Sequence, residues 1–128
     1  MSIKKTNIKD VSPRKMSGRD IYDLITKDTA NSQHLSLAIT RVKTGETVRP
    51  CHSHISEEIA FVMSGQGKVW VDGDSSILIK GDAIFWPSKA KHFVKNIGKD
   101  DLVLLCVFSN SEYQKDYKVF NEIDVDIL

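Results

Sequence analysis

Cysteine is scarce in this chain of 128 residues: only Cys51 and Cys106, in separate segments. Two distant thiols make neither a disulfide framework nor a Cys-x-x-Cys zinc site. The lysines near the start are followed by no apolar stretch that would serve as an export signal, so free thiols and a cytoplasmic location are expected. An excess of one charge is also missing. Eighteen Lys and Arg against 17 Asp and Glu leave a net charge of +1, which gives no electrostatic footprint for nucleic acid or for an anionic membrane. The basic stretch Lys4, Lys5, Lys9, Arg14 and Lys15 is broken by Asp10 and reads as a solvated arm. Long hydrophobic runs are absent too. The longest, residues 102–108, has seven residues, whereas a membrane-spanning helix needs about 20. What remains is an ordinary globular composition, 41% hydrophobic and 27% charged, in a length that suits one domain.

Within that length the dominant pattern is strand after strand. Residues 35–42 alternate apolar and polar positions. Residues 59–63, 68–71, 76–79, 83–86, 92–95 and 102–108 are short apolar or alternating runs, set apart by Gly-, Asp- and Pro-containing turns such as Asp72-Gly73-Asp74. Seven short strands at regular intervals predict an all-β sandwich or closed barrel over residues 35–110. Residues 1–34 read as an N-terminal arm or strand region, in which residues 19–27 suit a helix or a strand equally. Residues 111–128 read as an irregular tail packing on the same domain. Residues 59–63 and 102–108 are apolar on both faces, so something must cover the outer one: the N-terminal segment, a second sheet or a second subunit. A homodimer is expected, because the N-terminal segment is poor in large side chains.

Three of the four histidines fall in two stretches. In Pro50-Cys51-His52-Ser53-His54-Ile55-Ser56-Glu57-Glu58, strand alternation turns His52 and His54 to one side and Cys51 to the other. The polar Ile55-Ser56-Glu57 segment can turn the chain so that Glu58 brings a carboxylate to the same point. His92 follows 34 residues later, after Pro87 and a lysine-rich turn. Imidazoles and a carboxylate converging on one point are the ligands of a divalent transition metal. His34 lies outside both stretches and reads as a surface residue, Trp70 and Trp86 as packing groups, and Asn96 as a turn-holding amide.

The two stretches resemble the motifs of the cupin superfamily. Gly45, His52, His54, Glu58 and Gly65 follow the first motif, and Gly81, Pro87, His92 and Asn96 the second. Of the neighbouring acids Glu57 and Glu58, only Glu58 gives the six-residue spacing to Gly65. The 15 residues between Gly65 and Gly81 resemble the short bacterial form. Two departures stand out. Six residues rather than five separate Gly45 from His52, and Lys89 stands where the second motif usually has glycine. The resemblance implies a double-stranded β-helix, or jelly-roll barrel, and a single metal (Fe, Mn, Ni, Co or Zn) held by His52, His54, Glu58 and His92. It also implies a small-molecule ligand, with oxygenases, decarboxylases, sugar isomerases and non-catalytic sensors all represented. Strand parity puts Val48, Ala60, Val62 and Val94 beside the ligands, an apolar wall that favours oxygenase or related carbonyl chemistry on a small oxygen donor over a sugar isomerase.

Overall fold

The computed structural model describes residues 2–128. Its strands are β1 (Arg14–Met16), β2 (Arg19–Ile25), β3 (Ser36–Val42), β4 (Cys51–Ser53), β5 (Glu58–Ser64), β6 (Gln66–Val71), β7 (Asp74–Ile79), β8 (Ala83–Trp86), β9 (His92–Asn96), β10 (Leu102–Phe108) and β11 (Lys118–Phe120). They form two antiparallel sheets, one ordered β1-β2-β3-β10-β5-β8 and the other β11-β4-β9-β6-β7. This is the all-β jelly-roll architecture the sequence predicts. Among the described residues, no helix is long and apolar enough to cross a membrane.

Alternation along the strands sets the inner face. In β10, Leu102, Leu104, Cys106 and Phe108 are buried while Val103, Leu105 and Val107 are half-buried. In β5, Glu58, Ala60 and Val62 point inward and Ile59, Phe61 and Met63 outward. The inner faces of the two sheets meet in a core that includes Val42, Val62, Val69, Trp86, Val94 and Leu102. A second cluster, Cys51, Phe93, Phe120 and Val125, packs behind β4 and β9. Cys51 thus turns away from His52, and both cysteines are free and buried.

Two segments differ from their sequence reading. Residues 19–27 were open between helix and strand, and β2 is a strand. Its pairing with β3, from Asp20 opposite Arg41 to Ile25 opposite Leu37, decides what periodicity could not. The tail is not wholly irregular either. Lys118–Phe120 pairs with Cys51–Ser53, a strand too short to carry a legible alternation.

The β1–β2 turn is seated at Gly18, with φ +79°. A Cβ there would lie 1.9 Å from the Thr47 carbonyl oxygen, so backbone meets backbone with no room for a side chain. Gly73, also at positive φ, has open space around it. Gly18→Ala should therefore destabilise the fold by on the order of 2–4 kcal/mol in urea denaturation, and Gly73→Ala by about 1 kcal/mol. Equal effects would show that the close approach at Thr47 does not seat the hairpin.

Candidate metal centre

The site forms where the inner faces converge. His52 on β4 stands directly opposite His92 on β9. Glu58 opens β5, between Trp86 of β8 and Phe108 of β10. His54 lies one residue past β4, and the Lys89 N–H donates to its carbonyl at 2.8 Å, which ties the two motif stretches together. Lys89 makes that bond at φ +68°, the left-handed conformation that favours glycine. The turn geometry therefore survives the glycine-to-lysine departure. Asn96 anchors the far end of β9: its Nδ2 donates to the carbonyls of Val42 and Asp100 at 2.9 Å, and its Oδ1 accepts from the Gly98 N–H.

His54, Glu58 and His92 come together, their candidate ligand atoms all lying within 4.8 Å of one another. His54 Nε2 is 3.0 Å and His92 Nε2 3.9 Å from Glu58 Oε1. His52 adjoins this trio, with its ring centroid 4.4 Å from that of His92 and 6.3 Å from that of His54, but it is not part of the compact set. All four side chains are buried.

Each of the three imidazoles is clamped in the same way. Nδ1 of His52, His54 and His92 donates to the carbonyl of Pro50, Ser56 and Ala90 at 3.2, 2.8 and 2.9 Å. A carbonyl only accepts, so the proton sits on Nδ1 and Nε2 is the nitrogen left for a ligand. This is the outer-shell arrangement that orients metal-binding histidines. The donor set, imidazole nitrogens with one carboxylate, fits a divalent transition metal.

Titration behaviour follows from burial and charge. Burial, then the neighbouring His92 and Arg19 charges, pushes His52 well below the usual imidazole range. Burial brings His92 down to about 4. Burial also opposes the charged form of His54, but the Glu58 hydrogen bond and charge outweigh it, and His54 is raised. An ion bound at this point would compete with the proton that Glu58 favours on His54.

The site opens on a cavity of about 130 Å³, space for several waters or one small organic molecule. Val48 and Val94 line it as parity predicts, but Ala60 and Val62 are packed in the core and do not. Leu104 and Phe108 of β10 supply apolar wall instead. Trp86, read from sequence as packing, is a core residue that also lines the cavity, its ring centroid 5.1 Å from that of His92.

The polar lining was missed. Arg14, Arg19, Tyr113, Gln114 and Tyr117 come from the N-terminal hairpin and the C-terminal segment, outside both motifs. One signal was available. In the strand reading of residues 19–27, Arg19 and Ile21 share a face, and both line the cavity.

Comparison with known proteins agrees with this geometry. The family model described as Cupin domain matches residues 38–108. An uncharacterized protein of Methanocaldococcus jannaschii is 29% identical over 129 aligned positions, covering 100% of this chain and 97% of its own. The polyketide synthase CurC of Streptomyces cyaneus is 29% identical over 97 residues, 74% of this chain and 62% of its own. Among solved structures, the formate complex of Lactobacillus farciminis oxalate decarboxylase superposes with a TM-score of 0.78 at 27% identity. It covers 91% of this chain, which spans only 35% of that protein.

In the metal-free protein, the depressed His92 binds its proton in the unfolded state first. Between pH 6.5 and about 4 the unfolded chain holds more protons, so stability falls as pH falls through that window. His92→Gln should remove on the order of 3 kcal/mol of that acid-side loss, read from urea denaturation of metal-free protein at a series of pH values. An unchanged slope would mean that His92 is not held neutral by burial.

Proposed function

The chain belongs to the cupin domain family, and from that premise we propose that it is a metal-dependent cupin that binds a small oxygen-donor molecule at His52, His54, Glu58 and His92. The observation that carries this reading is the triple clamp: three imidazoles, each with Nδ1 committed to a carbonyl, present Nε2 beside one carboxylate. His52 joins as fourth ligand because it shares the tautomer of His54 and His92 and the burial and cavity of all three other residues. Fe, Mn, Ni, Co and Zn all suit such a set. Two free, buried thiols suit a reducing compartment such as the cytoplasm.

A bound ion supplies Lewis acidity and, where redox-active, reactivity toward O₂. The chain's own part is to shape the space around it. Val48, Val94, Leu104 and Phe108 give the cavity an apolar wall beside the polar groups of the N-terminal hairpin and C-terminal segment, and that wall supports oxygenase or related carbonyl chemistry over sugar isomerisation. A second reading, a binding or sensing cupin without turnover, has its own support. Cys106 and Tyr113, two other acids of the lining, are both pushed up by burial and keep their protons at neutral pH. Neither therefore supplies an anionic base to the cavity.

Elemental analysis of untagged protein should give about one transition metal per chain. His92→Ala and His54→Ala should cut metal affinity by at least about tenfold, and Cys51→Ser should leave it unchanged. Full occupancy in His92→Ala would refute the assignment. Anaerobic Fe(II) loading, then O₂ with a panel of small oxo and hydroxy compounds, separates the two readings: product formation supports the enzyme, binding without product the sensor.

The outer face of the larger sheet supports a homodimer. Ile59, Phe61, Met63 and Phe85 are each close to half exposed, and Ile59 stands opposite Phe85 across β5 and β8. Strand β8 is the sheet edge, so its outer backbone groups are free to pair with a second copy while the apolar side chains bury each other. Light scattering at micromolar concentration should give a dimer mass for wild type and a monomer for Phe85→Glu. A monomeric wild type would refute the dimer.

A further inference from the structure

We propose that Arg19 is the specificity-determining residue of the cavity, and that it selects a small organic acid by binding its carboxylate while another oxygen of the same molecule meets the metal. This deepens the reading above and rests on it for the metal-bound end only.

The observation behind it is where unpartnered polar atoms lie. Among the described residues, five buried side-chain nitrogen or oxygen atoms lack a hydrogen-bond partner: Arg19 Nη1, Ser32 Oγ, Arg41 Nε, Trp86 Nε1 and Gln114 Oε1. Three of these, from Arg19, Trp86 and Gln114, belong to residues lining the one cavity that holds the metal ligands. Buried polar groups are nearly always paired in native proteins, so several unpaired groups around one cavity point to a partner that is a ligand.

Arg19 is the strongest of the three. It is 8% exposed, and a buried guanidinium needs an anion or several acceptors. Among the described residues its one side-chain hydrogen bond runs from Nη2 to the Tyr117 hydroxyl, at 3.3 Å. The Tyr117 ring in turn stacks on His52, with centroids 5.0 Å apart, so the guanidinium is tethered beside the metal centre. The cavity's other cation is already engaged: Arg14 Nε bonds Asp23 at 2.6 Å and its Nη2 the Tyr113 hydroxyl at 2.8 Å. Glu58 is the only carboxylate in the lining. With a divalent ion present the cavity carries excess positive charge, so an anion is the ligand it would favour. The planar fork of arginine matches a carboxylate in two-point contact. Trp86 Nε1 and Gln114 Oε1 are the unpaired donor and acceptor of two further lining residues. A cavity of about 130 Å³ restricts the anion to a few carbons.

The test uses two matched pairs: 2-oxobutanoate with pentane-2,3-dione, and 2-hydroxybutanoate with 3-hydroxypentan-2-one. In each pair a methyl ketone replaces the carboxylate. Calorimetry of Zn(II)-loaded wild type should show at least one acid bound about tenfold or more tighter than its neutral partner. Arg19→Gln, with zinc content and melting temperature like wild type, should lose about 10- to 100-fold of acid affinity and leave neutral affinity unchanged. Arg19→Lys keeps the charge without the fork and should fall between. A wild type that binds neither acid, or binds acids no tighter than ketones, overturns the proposal, as does an Arg19→Gln that retains the preference. If Arg19→Gln does not fold, equal acid affinity in Arg19→Lys and wild type overturns it. Failure of the metal reading is separately visible as a wild type that takes up no zinc. Arg19-dependent acid binding by that metal-free protein would still support the anchor.

Discussion

Three imidazoles and a carboxylate are buried together, and the rest of the structure answers that constraint. Desolvation disfavours charge on every one of them, so each needs a fixed partner. The backbone supplies half of the answer. The carbonyls of Pro50, Ser56 and Ala90 each take an Nδ1 proton, two residues along the chain from the imidazole or two before it. These contacts are local, so the turns beside β4 and β9 fix the ring tautomers, and Tyr117, Phe108 and Trp86 pack against the rings from farther along the chain. The other half comes from the contact of His54 Nε2 with Glu58 Oε1 at 3.0 Å. The opposed directions of His54 and His92 reflect burial, which lowers both, and the Glu58 hydrogen bond, which His54 makes and which outweighs burial there.

The constraint also explains what the outlying segments do. The two motifs by themselves build a floor, from β4, β5 and β9. Walls come from β2, which adds Arg19 and Ile21, and from the segment after β10, which adds Tyr113, Gln114 and Tyr117. The two additions are bonded to each other: Arg14 and Asp23 both reach the Tyr113 hydroxyl, and Arg19 reaches Tyr117. The Tyr113 ring stacks on Phe108, with centroids 3.8 Å apart, which fixes the C-terminal wall to β10. Gly18 belongs to the same device, since the hairpin that carries Arg19 comes close to Thr47 only where there is no side chain.

Legibility in the sequence divided along these lines. The strands of residues 35–108 could be read because half-buried β-structure imposes a period of two, and the convergence of His54, Glu58 and His92 because metal chemistry demands particular residue types at strand spacings. Lys89 showed the limit of residue identity as evidence. A glycine conformation is held by lysine, through a hydrogen bond to His54 that no local pattern reveals. The cavity's polar wall was hidden for a different reason. Arg19 and Tyr117 are 98 residues apart, and nothing local distinguishes a buried arginine from a surface one. Ala60 and Val62 erred in the opposite direction. They share the ligands' strand face, but the cavity narrows before reaching them and core packing takes over.

The surviving unpaired atoms bear on how stability and function are linked in this fold. Each unsatisfied buried donor or acceptor costs roughly 1–3 kcal/mol, a large share of the 5–15 kcal/mol by which a domain of this size is stable. Arg19, Trp86 and Gln114 concentrate that cost at one cavity, while the Nδ1 clamps and the Asn96 contacts around it are fully made. Of the five unpaired groups among the described residues, two, on Ser32 and Arg41, thus lie elsewhere, and three belong to residues around this cavity. A molecule that completes them binds the folded state alone and returns its affinity as stability. A ligand that paired them would contribute to the energetics of the fold as well as to its chemistry, because three of the unpaired buried groups lie on residues around one cavity.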